Sequence, residues 1–365
     1  MKNKTVHDAR TCFWTGCKAA LNQLKKIIRP WLLINLFWRI KIKRLFLFSQ
    51  KIKIGFGPIA TGENDLSVRK WRIDPIIDEI NRTSDQYVAG FFIDPKEMKK
   101  FDRTIIVKKF TADFIPIIKH LKKRRFIYDI VDNPNCSKEE GSYLDSPEFT
   151  GLMDGFILSS PLHKRSLRSY SKPSLLIEHP IINSSYKTDY SPGKEIILLA
   201  QGYYENLKNL TLIEPLLPEI SQEIGKKIVL VYHSEMVLPQ TEWTRHIKWT
   251  AKNCFPVMSQ ADIAVTIKEL HKIHQKTKPS TKVIAYMAAG LPVVCFPSIT
   301  DRLVISHGIN GFFAYTKKDW KHWIEKLALS ARLRRQIGRA ARKSVIDCYS
   351  VANITKKYIQ LLDLL

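Results

Sequence analysis

Two stretches of this chain repeat one pattern, in which short runs of β-branched and aromatic residues alternate with segments of helical spacing. Residues 51–57 read as a first buried strand ending at glycines, and 68–80 carry helical periodicity. Residues 87–93, 104–107, 125–131, 156–159 and 175–177 continue as short strands. The stretch 182–193 is polar, with Asn183, Ser184, Ser185, Ser191, Pro192 and Gly193. Beyond it the alternation restarts: strands over 195–200, 227–232, 261–265 and 292–296, helices over 210–224 and 281–289, and a helical tail over 318–365. Strands alternating with helices build parallel sheets. The expected fold class is therefore α/β, with two Rossmann-like doubly wound domains facing a cleft, where ligands bind. The expected organisation is a basic arm over 1–50, a first domain over 51–185, a linker over 186–194, a second domain over 195–345 and a C-terminal helix over 346–365.

Composition supports two packed cores: 365 residues, 45% hydrophobic and 25% charged, which excludes disorder throughout. The net charge of +25 is unevenly spread. Residues 1–54 hold thirteen Lys and Arg against Asp8 alone, so this part carries 13 − 1 = +12. The six cysteines are scattered and none has CxxC spacing, which argues against zinc and fits a reducing compartment. No run reaches the roughly 18 apolar residues that span a bilayer. The best, over 31–38, is interrupted by Asn35 and followed by Arg39, Lys41, Lys43 and Arg44 rather than by a small-residue cleavage site. The expected location is cytoplasmic, peripheral on the inner face of the membrane.

Residues 18–53 are basic and aromatic together. Pro30 suits the first turn of a helix reaching about residue 49. Trp31, Ile34, Trp38, Ile42 and Leu45 recur at steps of three and four, and Asn35, Arg39 and Lys43 form a polar stripe. A helix of this kind lies in an anionic membrane interface. The competing readings are a helix packed on the body of the protein and a nucleic-acid arm; for the last, no zinc spacing or reading motif is present, and no nucleic-acid partner is expected.

The most specific signal is Lys282-Val-Ile-Ala-Tyr-Met-Ala-Ala-Gly-Leu-Pro-Val-Val294: a helix with small Ala288 and Ala289, closed by Gly290, then a strand begun by Pro292. It resembles the Lys-Val-Leu-Glu-Tyr-Met-Ala-Ala-Gly-Leu-Pro-Val-Val segment in the C-terminal domain of the GT-B nucleotide-sugar glycosyltransferases of the large group 1 type. Gly308-Ile-Asn-Gly-Phe312 is similar to that family's Gly-x-Asn-Gly-Phe turn. Gly202 and Lys208-Asn209-Leu210 are similar to its Gly-Arg followed by Lys-Asn-Leu. The segment 332–350 resembles its C-terminal helices. The likeness is good over 195–350, looser over 51–185 and absent from the arm.

The resemblance implies a nucleotide-sugar donor in the second half and an acceptor approaching from the first. Lys208 corresponds to a basic residue set against the leaving diphosphate. Ser280, Thr281 and Lys282 open the next helix, whose N-terminus attracts phosphate. The sequence departs from the family pattern at four polar positions. Ala285 and Thr277 stand where the family carries two glutamates, Tyr203 where it has arginine after glycine, and Leu303 where it has a further glutamate. Each lost charged hydrogen bond is worth roughly 1.5–3 kcal/mol. Lys268, Glu269, His271 and His274 lie just upstream as substitutes. Either the donor is held unconventionally or transfer has been lost.

Other candidates carry two readings each. In the loop after the first strand, Gly57 and Asp65 mark an acceptor-side turn, and Glu63 or Asp65 is a candidate base for an acceptor hydroxyl, against a plain turn. His271 and His274 sit three apart, but read as solvated helix surface. His163 and His179 are placed on a helix and at a strand end. Asp129 and Asp132 would point to different faces, as a strand end and loop rather than a metal pair. The run 122–125 reads as a solvated basic face. No metal site and no cofactor beyond the nucleotide-sugar co-substrate are expected. The expected activity is sugar transfer to a membrane-associated glycan or lipid-linked acceptor in surface polysaccharide or lipopolysaccharide assembly. The alternatives are a non-catalytic scaffold or glycan-binding protein.

Overall fold

The computed structural model describes residues 51–58, 68–108, 110, 113–131, 147–167, 171–182, 185–191, 193–268, 270–271 and 273–365. The expectations for the arm, Glu63, Asp65, Asp132, Asn183, Ser184, Pro192 and Glu269 fall outside them.

In the first half, β1 (Ile52–Gly57), β2 (Tyr87–Phe91), β3 (Arg103–Val107), β4 (Arg125–Asp129), β5 (Gly155–Leu158) and β6 (Ser174–Leu176) form one parallel sheet in the order β2-β1-β3-β4-β5-β6. In the second, β7 (Ile196–Gln201), β8 (Ile228–Ser234), β9 (Thr244–Lys248), β10 (Ile263–Ile267), β11 (Val293–Phe296) and β12 (Phe312–Phe313) are ordered β12-β11-β10-β7-β8-β9, again all parallel. Largely apolar runs build the central strands because both sheet faces are covered there; β5, β8 and β10 are buried at every position. The two orders are the two doubly wound topologies, reversing direction between β1 and β3 and between β7 and β10.

Some elements differ from the sequence expectation. The helical stretch after β1 is a π turn, Arg69–Ile73, running into an α-helix, Asp74–Thr83. The expected helix over 210–224 is divided into a 3₁₀ turn, Lys208–Leu212, and a helix, Leu216–Ile224. The edge strand β9, Thr-Arg-His-Ile-Lys, lacks an apolar run because only part of it is buried.

The tail forms three helices, Lys317–Leu329, Ala331–Tyr349 and Val351–Asp363. The last crosses back to the first sheet. Ser350 caps it by accepting from the Asn353 amide, Ile181 N donates to Tyr349 O at 2.8 Å, and Tyr358 packs on Phe56 with ring centroids 5.8 Å apart. Two halves of the chain thereby share one buried core, which includes Ile54, Ile127, Val283, Ile354 and Leu361.

Candidate functional site

β7 ends in Gln201 and Gly202, whose amide donates to His233 O at 3.1 Å; Lys268 follows the end of β10. Such carboxyl ends at a switch point are where doubly wound sheets bind ligands. Lys268 is buried, and its Nζ donates to Asp301 Oδ1 at 2.9 Å and Ser298 Oγ at 3.0 Å. Ser280 Oγ donates to the same Oδ1 at 2.8 Å, while the Ser298 amide and hydroxyl reach Oδ2 at 2.9 and 2.7 Å. Burial alone would raise the Asp301 carboxyl; Lys268 and the donors of Ser298 outweigh it and hold Asp301 below its ordinary range. The carboxylate is thus ionised and fully engaged.

Lys282 is the second residue of the helix Thr281–Ala288. Burial pushes its ammonium down to about 7; Lys278 and Lys268 add to the shift by repulsion, and Asp301 opposes it. Ser280 spends its hydroxyl on Asp301 and does not cap the helix. Three lysines and uncapped helix N–H groups therefore meet one spent carboxylate, an arrangement that favours a polyanion. The Lys208–Leu212 turn packs against β10 nearby.

A small cavity of about 30 Å³ lies between the halves and is lined by residues including Trp71, His179, Phe255, Thr281, Ala285 and Ala288. Trp71 meets Trp249 at 5.9 Å and Phe255 at 6.0 Å between ring centroids. Ala285 therefore faces an aromatic-walled cavity.

The structure brings Ser280 and Lys282 together around Asp301, with Thr281 beside them and lining the cavity. Thr277 is buried, and Tyr203 is 52% exposed. Gly57 ends β1 where a Cβ would lie 2.3 Å from Phe92 O, so its lack of a side chain serves a close backbone approach. His271 is exposed, His163 lies on the helix His163–Ser166, and His179 lines the cavity. Asp129 points into the core, onto Arg72. Sequence reasoning missed Asp301, Ser298 and Trp71. One signal was available: Asp301 is the only carboxylate between residues 270 and 318, amid hydroxyls and lysines.

No family model matches the chain, and no curated protein matches it. Solved structures do. The chain is similar to HepE of Anabaena in complex with UDP, with a TM-score of 0.60 and 13% identity over 87% of this chain and 100% of that one. It is similar to a glycosyltransferase from Rickettsia africae ESF-5, with a TM-score of 0.59 and 12% identity over 87% and 99%. It is similar to TarM, with a TM-score of 0.58 and 14% identity over 74% of this chain; it spans 57% of TarM. With its two doubly wound parallel sheets, the chain has the GT-B glycosyltransferase fold.

Proposed function

We propose that this chain is a glycosyltransferase that takes a sugar from a nucleoside-diphosphate donor held in the second half. The observation that carries this reading is the group Lys268, Lys278 and Lys282 around the spent carboxylate of Asp301. Negative charge grows on a diphosphate as the sugar leaves, and preorganised cations in a water-poor cleft stabilise it. Lys282 and Lys208 would face that charge, with the amides of Thr281 and Lys282 at the helix start; Lys268 is held in place by Asp301. Similarity to a UDP complex of HepE supports a nucleotide-sugar donor. The acceptor is a membrane-associated glycan or lipid-linked sugar of surface polysaccharide or lipopolysaccharide assembly, met at the inner membrane face through the basic residues 18–53, with Glu63 or Asp65 as base. No dedicated metal is invoked.

The test is a thermal-shift titration of the full chain with UDP, GDP, CDP and ADP and their sugar conjugates. Ligand at 100 times its Kd should add about 2.7 kcal/mol of stability. A shift with one base, lost in Lys282→Ala, is expected. The absence of any shift would overturn the reading.

A second reading, a non-catalytic scaffold, is favoured by Ala285 facing the cavity and by Leu303 standing 55% exposed where the resemblance places a glutamate. Turnover of any nucleotide-sugar excludes it.

A further inference from the structure

The helix Ala331–Tyr349 buries Arg334, Ile337, Gly338, Ala341, Val345 and Tyr349 on one side. Its other side carries Arg332, Arg335, Arg339 and Lys343, all exposed. Their spacing of three, four and four places them in one row about 17 Å long at 1.5 Å per residue. None of the four makes an ion pair or a side-chain hydrogen bond among the described residues, and the helix has a single acid, Asp347, near its end. Like charges at these spacings weaken a helix; Asp189, whose carboxyl Arg335 helps to hold low, offsets part of this at one point of the row, and the rest is held at a cost to the fold unless an anion meets it. Arg342 flanks the row, with its guanidinium 3.8 Å from the ring centre of Tyr186, which is 46% exposed. Leu329, 68% exposed, stands just ahead of it.

We propose that the ridge Arg332, Arg335, Arg339 and Lys343 is a docking surface for an anionic phospholipid leaflet. Charge complementarity identifies the class of partner, and shape narrows it. A single convex helix presents its cations to a plane, whereas single-stranded nucleic acid is held in a groove with successive stacking platforms. One amphipathic tyrosine and one exposed leucine beside the cations suit the headgroup level. The ridge lies on the opposite flank of this helix from its buried contacts, and the inference does not depend on the donor site.

The experiment is co-sedimentation of the full chain with vesicles of phosphatidylcholine containing 0 or 30 mole per cent phosphatidylglycerol (~30% to mimic an anionic leaflet). The ridge variant is R332E/R335E/R339E/K343E. The control, K252E/K317E/K318E/K326E, changes four exposed lysines elsewhere and so alters net charge equally. The arm is common to both and cancels in the comparison. Since each cation at such a surface contributes severalfold, the ridge variant should lose at least about tenfold in partition to the anionic vesicles, and the control far less. Circular dichroism and melting confirm that both fold. Equal losses in the two variants would reduce the effect to net charge and overturn the proposal, as would no loss at the ridge. Tight binding of single-stranded RNA without binding of vesicles would also overturn it.

Discussion

Arg72 and Asp129 form a two-pronged ion pair with no exposed side-chain surface: Nε to Oδ2 and Nη2 to Oδ1, both at 2.9 Å. Tyr358 of the last helix donates to Oδ2 at 3.1 Å, and Arg72 Nη2 also donates to Ile177 O at 3.0 Å. The pair joins the segment after β1, the end of β4 and the returning C-terminal helix. Breaking it on one side strands a buried charge, which costs about 3–5 kcal/mol. Asp129→Ala should therefore lower the urea midpoint steeply, while R72M/D129L, which removes both charges, should recover much of the loss. Equal destabilisation by the single and double variants would contradict this account.

Gly338 sits where the helix Ala331–Tyr349 crosses Gly290. A Cβ there would lie 2.1 Å from Gly290 O and 2.8 Å from Tyr190 Oη. Alanine gains about 1 kcal/mol in helix propensity, yet overpacking against backbone costs about 1–3 kcal/mol. Gly338→Ala should thus be neutral to destabilising despite its better propensity, with a lower melting temperature as the readout.

His233, next to last in β8, has no exposed surface. Burial pushes its imidazole below 6.5; His246 adds to this, and the hydrogen bond with Asn253 opposes it. Below pH 6.5 the unfolded chain takes up a proton that the folded one resists, so stability falls as pH drops through that value. His233→Gln should flatten this part of the stability–pH curve, measured by urea midpoints between about pH 5.5 and 7.5, one unit either side of the ordinary imidazole value.

Lys282, pushed down to about 7 in the unliganded site, is largely neutral at about pH 8. A bound diphosphate favours its charged form, so binding there should take up a proton. Calorimetry in two buffers of different ionisation enthalpy would show the uptake, and Lys282→Met should abolish it. Folding has the opposite sign: it releases the proton that the unfolded lysine holds between about 7 and its ordinary value, so stability rises with pH across that range.

Deleting residues 1–49 should move the chain from the membrane fraction to the supernatant. Unchanged sedimentation with membranes would remove the arm from the account of localisation and leave that role to other surfaces.

Much of the architecture was legible in the sequence because parallel strands covered on both faces are largely apolar: the buried runs 228–232 and 263–267 could be little else. The helix 281–288 and its closing Gly290 were equally plain, as a small-residue helix stop is a local matter. The residues 244–248 were not, since a partly exposed edge strand needs no apolar run. The strand orders were also out of reach, because which strand neighbours which depends on long-range packing.

The sequence by itself determined two α/β halves, a basic arm and the lysines and hydroxyls around residue 280, since periodicity, composition and local motifs are properties of neighbouring residues. Only the tertiary structure decided that Asp301 is spent on Lys268 and Ser280, that Trp71 reaches Phe255 beside Ala285, and that Arg72 is buried on Asp129. Those contacts join residues 21 to 184 positions apart, and burial, which sets the energy of a charge, exists only once such distant segments have packed together.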